Sequence, residues 1–111
     1  MIRATNKILL PADRLAALLT SHGLTYQREV IFHPSRKWRA DFLLTGSRGQ
    51  RLMVEVEGGT FATSRHTTGA GFERGAEKYA EAQCLGFIVL RVTPRQIDAG
   101  LAYSWIKKLL D

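Results

Sequence analysis

Three short segments in which apolar and polar residues alternate constrain this fold more than any other feature of the sequence. They cover residues 25–33, 38–44 and 51–57, and short turns containing Gly, Ser or Pro separate them. Alternation with a period of two residues is typical of β-strands that bury one face. Turns this short join neighbouring antiparallel strands, so we predict two consecutive β-hairpins.

Two helices are predicted on either side of this strand block. The first covers Pro11–Ser21, where leucines recur at helical spacing and a glycine follows the end. The second runs from about residue 71 to residue 85, and its apolar face is predicted to hold Phe72, Ala76, Ala80 and Cys84. Residues 58–70, which precede it, are rich in Gly, Ser and Thr and are interpreted as a loop.

The last third of the chain predicts one more strand and a final helix. The apolar run Phe87–Thr93 is typical of a strand buried on both faces. A capping box with Pro at the first helical position begins at Thr93, and Gly100 interrupts the helix that follows. The predicted order is α-β-β-β-α-β-α, an α/β fold in which residues 1–111 form a single domain.

The charge of the chain favours a polyanionic partner. Its 16 Lys and Arg residues exceed its 10 Asp and Glu residues, which gives a formal net charge of +6. We expect nucleic acid and no membrane, because no long basic amphipathic helix or membrane-length apolar run is visible. A cytoplasmic protein is expected. A homodimer is also expected, because a domain of this size is marginally stable and its end carries Trp105, Ile106, Leu109 and Leu110.

The two hairpins can be aligned by arithmetic, because opposed residues in an antiparallel pair share a constant index sum. A turn centred on Arg48 places Asp41 opposite Glu55, and a turn centred on Ser35 places Glu29 opposite Asp41. In this alignment Leu52, Val54 and Val56 face inward, whereas three residues face outward, Met53, Glu55 and Glu57. The alignment predicts a row of three carboxylates on one face of the sheet.

A row of carboxylates at this spacing destabilises the fold unless positive charge neutralises it. Mg²⁺ or Mn²⁺ would do so, because these cations prefer hard oxygen ligands and often use only one or two carboxylates. The alternative is that the acids pair on a solvated face with Arg28, Arg39 and Arg51. The spacing alone leaves both interpretations open.

Two residues outside the strands have both a functional and a structural interpretation. His66, in the loop, could bind phosphate or relay a proton, or it could simply be exposed to solvent. Lys78, in the second helix, could reach the acidic face of the sheet, or it could form a surface ion pair with Glu77 or Glu81.

Six segments in this order and spacing carry a resemblance to a known family: Glu29–Pro34, Arg36–Phe42, Val54–Thr60, Ser64–His66, Glu77–Tyr79 and Gly86–Thr93. The chain resembles the PD-(D/E)XK nuclease superfamily. More narrowly, it is similar to small phage or bacterial endonucleases related to Holliday-junction resolvases and to very-short-patch-repair-like endonucleases. The resemblance implies a restriction-endonuclease-like fold, with a mixed central sheet flanked by helices.

The resemblance also implies a metal site. Asp41 and Glu55 would bind Mg²⁺ or Mn²⁺, with the backbone carbonyl of Val56 as a third ligand. The lysine of the superfamily motif falls at Glu57, and this departure nominates Lys78 as the positive group that neutralises charge or orients the nucleophile.

Further residues complete the implied site. Glu57 or Glu29 could hold a second metal ion. Trp38 could stack on an exposed base or belong to the core. The DNA backbone would be contacted by basic side chains of the turn and the loop, namely Arg36, Lys37, Arg39, Arg65 and His66.

The function implied by the resemblance is a Mg²⁺-dependent, structure-directed or nicking endodeoxyribonuclease. One alternative is a nucleic-acid-binding module that no longer cuts, and Glu57 in place of lysine favours it. Another is an interaction subunit whose basic face docks on an acidic protein.

Overall fold

The computed structural model describes residues 9–58 and 69–111. Its mixed α/β architecture agrees with the predicted order, and Gly100 interrupts the final helix as predicted, dividing it into two. None of the described helices is long and apolar enough to cross a membrane. The elements are α1 (Pro11–Ser21), β1 (Gln27–Ile31), β2 (Arg39–Thr45), β3 (Arg51–Val56), α2 (Gly69–Cys84), β4 (Phe87–Val92), α3 (Pro94–Asp98) and α4 (Leu101–Leu110).

The four strands form one mixed sheet in the order β1-β2-β3-β4. The first two pairings are antiparallel, and β4 runs parallel to β3. Arg28 pairs with Phe42, which in turn pairs with Val54, so both predicted hairpin registers are confirmed. Register is strongly specified here because a shift of one residue would move every buried side chain to the other face.

Helices cover both faces of the sheet. On one face, α1, α3 and α4 enclose the larger core, which includes Leu15, Leu19, Phe42, Leu52, Val54, Ile97 and Ile106. On the other face, α2 encloses a smaller cluster of Ala40, Met53, Ala82 and Phe87. The prediction that Met53 and Glu55 face outward is therefore wrong, because α2 covers that face and leaves Met53 0% and Glu55 3% exposed.

The predicted packed face of α2 is also wrong. Phe72 is 69% exposed, and Ala76, Ala80 and Cys84 are exposed as well. The helix instead turns Lys78, Tyr79 and Ala82 towards the sheet. In this orientation Lys78 reaches Glu55 on β3 and Tyr79 reaches Glu57 just after it, so the buried Glu55 carboxylate is not left without a cation.

The end of the chain belongs to the core. The capping box at Thr93 is confirmed, because its hydroxyl accepts from the Gln96 backbone and the Gln96 side chain accepts from the Thr93 backbone. Gly100 begins α4 at φ 84°, a left-handed conformation that favours glycine. Ile106 is 0% exposed and Leu109 and Leu110 pack against the core, so most of this apolar segment is used within the chain. The homodimer stays a prediction, and the apolar C-terminal segment no longer argues for it.

The last strand lies at an edge of the described sheet. Phe87 and Val92 are buried, but Ile88 is 36% exposed and Arg91 is exposed. The prediction that this strand is buried on both faces is wrong. The edge position leaves one side of β4 unpaired within the described sheet. Arg91 is opposed to Glu55 in the register and contacts Tyr79 of α2, so it becomes part of the site described next.

Candidate active site

Asp41 and Glu55 lie where the paired part of β2 and β3 ends. The backbone pairing of these two strands ends at Phe42 and Val54. Beyond that point, carboxylate oxygens accept the hydrogen bonds of the backbone N–H groups. Glu55 Oε2 accepts the Asp41 backbone N–H at 2.8 Å, and Asp41 Oδ2 accepts the Val56 backbone N–H at 2.8 Å. This reciprocal exchange fixes both carboxylates beside each other at the end of the hairpin.

Both carboxylates have a raised pKa. Burial raises the pKa of Asp41, and the hydrogen bond from Val56 and the charge of Lys78 oppose that rise. Burial also raises the pKa of Glu55 above its ordinary value, against the hydrogen bonds from Lys78 and from the Asp41 backbone. A pair of acids, one buried and one half-buried, whose pKa values are held above the ordinary ones is typical of sites that bind a cation or move a proton.

Lys78 supplies the positive charge of this site. Its Nζ lies 2.6 Å from Glu55 Oε1, and its side chain is 19% exposed. The alternative surface pairs with Glu77 and Glu81 are not formed, because those acids contact Arg36 and His33 instead. The helix that follows the loop thus delivers a lysine to the acids of the neighbouring strands.

Glu57 occupies a different environment from the other two acids. The Tyr79 hydroxyl donates a hydrogen bond to Glu57 Oε2, and Arg91 Nε lies 3.3 Å from the same oxygen. The guanidinium of Arg91 also lies 4.6 Å from the centre of the Tyr79 ring. Burial, followed by the bond to Glu57, raises the pKa of the Tyr79 hydroxyl, so this phenol stays protonated and donates. Glu57 is therefore neutralised within its own cluster.

Glu29 lies near this pair of acids on the β1 side. Its neighbours Arg28 and Val30 pair with Phe42 and Ala40, and its negative charge contributes to the raised pKa of Asp41. Its φ of 55° is the only left-handed value among the described non-glycine residues. Such a conformation is unfavourable for a residue with a side chain, and it is enriched at functional sites.

The turn between β1 and β2 is tied to α2 by a residue that sequence reasoning missed. His33 Nδ1 accepts the backbone N–H groups of Ser35 and Arg36, each at 3.1 Å. With Nδ1 as acceptor, Nε2 carries the proton and donates to Glu81 Oε1 at 2.8 Å. A contact across 48 positions has no local sequence signal, so only the tertiary structure could identify it.

The predicted DNA-contacting residues divide into three groups. Arg36 is engaged, since it lies 2.8 Å from Glu77 and 3.9 Å from the centre of the Trp38 ring. Lys37 and Arg39 are exposed, and neither forms an ion pair with another described residue. The other two, Arg65 and His66, lie outside the described residues. Trp38 packs near Phe32 and His33, so it is partly a core residue.

A cleft of about 730 Å³ opens beside Lys78 and Glu57. One wall comes from α2, and the rest of the described lining includes Trp38, just before β2, and Arg91 on β4. Its lining combines aromatic rings with positive charge: Trp38, Phe72 and Tyr79 with Arg74, Lys78 and Arg91.

The donor set is compatible with Mg²⁺. In the described part of the chain, no group of three or more His, Cys, Asp or Glu side chains is arranged to hold a metal ion. Asp41 and Glu55 nevertheless supply two adjacent hard carboxylates, and Mg²⁺ in substrate complexes often uses only one or two, with water and phosphate completing its shell. No family model, curated protein or solved structure matches this chain.

The raised pKa values predict the pH dependence of stability without metal. The folded protein holds protons on Asp41 and Glu55 that the unfolded chain releases, so stability should fall as pH rises from about 4 through the raised values. Thermal unfolding in EDTA across this range measures the effect. The Asp41→Asn/Glu55→Gln double variant should flatten the profile, and Glu73→Gln, which changes an exposed acid of α2, should not. An unchanged profile in the double variant would contradict the assignment.

His33 gives a second stability prediction. His33→Ala removes the acceptor of two turn amides and the donor to Glu81, so unfolding free energy should fall by about 1–3 kcal/mol. His33→Asn can still accept from the turn but is too short to reach Glu81. It should recover part of the stability while leaving faster hydrogen exchange in α2. Wild-type exchange in both variants would rule out the proposed tie.

Proposed function

We propose that this chain is a Mg²⁺-dependent endodeoxyribonuclease with a restriction-endonuclease-like fold. The observation that carries the proposal is the placement of Lys78 Nζ 2.6 Å from Glu55, which itself accepts the backbone N–H of Asp41. The resemblance anticipates two adjacent acids with a neighbouring lysine, and here three separate elements, β2, β3 and α2, supply them.

Asp41 and Glu55 would hold the metal, with the Val56 carbonyl as the further ligand that the resemblance implies. When bound, Mg²⁺ supplies Lewis acidity that lowers the pKa of water and stabilises negative charge on a phosphate. The hydrogen bonds from the Val56 and Asp41 amides orient the two carboxylates before any ligand arrives. Such preorganisation avoids reorganisation cost during the reaction.

Lys78 would act on the charge that develops during hydrolysis. Water adds across a P–O bond, which leaves a phosphate monoester on one DNA fragment and a hydroxyl on the other. The ammonium of Lys78 is fixed by Glu55 and would neutralise charge at the phosphate or orient the attacking water. Glu57 is not required for this step, because Tyr79 and Arg91 already engage it.

The basic surface would hold the DNA backbone. The net charge of +6 and the exposed Lys37 and Arg39 near the site favour contact with phosphates. Contacts of this kind are independent of base sequence and weaken as salt increases. A structure-directed or nicking activity on branched DNA is consistent with a site that contacts phosphates and not base edges.

A cleavage panel tests the proposal. Linear duplex, nicked, flapped and four-way-junction DNA are incubated with the protein in Mg²⁺, Mn²⁺ or EDTA. We expect cleavage of at least one substrate with either metal and none in EDTA. DNA binding that persists in EDTA without any metal-dependent cleavage would favour the alternative of a non-cutting binding module, for which the glutamate at position 57 is the sequence argument.

A further inference from the structure

We propose that the cleft beside Lys78 is a binding subsite for one unpaired nucleotide of a DNA strand. This inference rests on the proposed function and adds a substrate class to it: DNA in which a nucleotide next to the scissile phosphate is single-stranded. The cleft volume of about 730 Å³ falls within the range of roughly 300–1,000 Å³ that is usual for small organic ligands.

Phe72 is the first argument for a base in this cleft. Its side chain is 69% exposed although it lines the cleft, so its ring is largely open to solvent. An exposed large apolar side chain within a concave, positively charged surface is a common feature of ligand sites. Nucleobases stack on aromatic side chains whatever their sequence, because every base presents a π-face.

Charge is the second argument. Arg74 lines the same cleft and forms no ion pair with another described residue. The Arg91 side chain is 52% exposed even though its Nε lies 3.3 Å from Glu57 Oε2. Guanidinium groups that line a cleft together with an aromatic ring suit a nucleotide, because they pair with phosphate and stack on bases.

Gly75 is the third argument. It lies within α2, where glycine is less favourable than almost any other residue. Close packing among the described residues does not require it, since the only one of them that an added Cβ would meet is Tyr79, whose Cε2 lies at an ordinary contact distance of 3.9 Å. The missing side chain instead keeps the helix wall of the cleft open.

The three features favour an unpaired nucleotide over continuous duplex DNA. Within a duplex, both faces of each base are stacked on neighbours, so a base reaches a protein pocket only when it is unpaired or extruded. The opening of the cleft at Lys78 would place the phosphate of such a nucleotide next to the carboxylates.

Binding measured in EDTA tests this subsite without cleavage. The probes are a fluorescein-labelled ten-nucleotide oligo-dT and a labelled blunt twelve-base-pair duplex, titrated with the full chain and followed by anisotropy. Phe72→Ala should weaken oligo-dT binding about 5- to 150-fold, the range expected for loss of one base–aromatic stack. Its effect on duplex binding should stay within about twofold. Leu101→Ala, which truncates a 45%-exposed side chain on the opposite face of the sheet, is the matched control.

Gly75→Leu separates loss of the cleft from loss of the fold. Leucine is a better helix former than glycine, so the melting temperature should stay level or rise while oligo-dT binding falls. In a Trp105→Phe background, Trp38 is the only remaining tryptophan, and its emission should change when oligo-dT binds.

Wild-type oligo-dT affinity in both Phe72→Ala and Gly75→Leu overturns the subsite, even if the protein cuts DNA. Selective loss in both supports it, even if no substrate is cleaved and the nuclease proposal fails.

Discussion

Asp41→Asn is expected to abolish DNA cleavage while leaving the fold intact. The substitution removes one of the two carboxylates proposed to hold Mg²⁺, and a bound metal contributes several kcal/mol to phosphoryl transfer, so the rate should fall by about 10³-fold or more. The asparagine carbonyl can still accept the Val56 backbone N–H, which preserves the link between β2 and β3. Single-turnover cleavage of the best substrate from the panel measures the effect.

Two further measurements make this result specific to the site. In EDTA, the Asp41→Asn variant should bind DNA as tightly as the wild type or more tightly, because it lacks one negative charge near the phosphate. Asp98→Asn makes the same chemical change on α3, beyond the opposite face of the sheet, and should retain wild-type cleavage. Unchanged turnover in Asp41→Asn would refute the assignment of the metal site.

Lys78→Ala is expected to lower the single-turnover rate by about 10²- to 10⁴-fold, the range that charge-stabilising and acid–base groups supply. Lys78→Arg should recover part of the rate, because it restores the positive charge with a different shape. Lys107→Ala, on the exposed face of α4, is the control for loss of one positive charge. Retained activity in Lys78→Ala, with loss in Arg65→Ala, would place the catalytic cation in residues 59–68.

The structure changes the expected stability of this variant. A surface ion pair on a helix contributes about 0.5 kcal/mol at most, which would leave the melting temperature nearly unchanged. Lys78 instead contacts Glu55, which is only 3% exposed, so its removal leaves a buried carboxylate without its cation. We therefore expect a loss of about 1–3 kcal/mol near neutral pH. The Lys78→Ala/Glu55→Gln double variant should recover the stability but not the activity, which separates the two roles of the lysine.

The hairpins were predictable because their information is local. Alternation fixes which residues share a face, and the short turns at residues 33–37 and 45–50 fix the pairing to one alignment. Together these two constraints placed Asp41 beside Glu55 before any helix was considered. The end of the strand pairing at Phe42 and Val54, where the carboxylates replace backbone acceptors, has no such local signal.

The face of α2 shows how a helical pattern can mislead. The apolar residues from Phe72 to Cys84 recur every four positions, and a helix of this kind usually packs with such a stripe. The acidic edge of β3 reverses the choice, since Lys78 and Tyr79 find partners there in Glu55 and Glu57. Leaving the buried Glu55 carboxylate without a cation would cost more than leaving alanines exposed, because alanine side chains remove little apolar area from water.

By itself, the sequence determined the α/β order, the two antiparallel registers and the adjacency of Asp41 and Glu55, because turn length and side-chain parity act over a few residues. Only the tertiary structure decided which face of α2 meets the sheet, that His33 ties the first turn to that helix, and that Glu57 is neutralised by Arg91. These contacts join residues that lie 22 to 48 positions apart in the sequence. Their free energies depend on which charges are brought out of water together, and that is defined only once the helices have packed on the sheet.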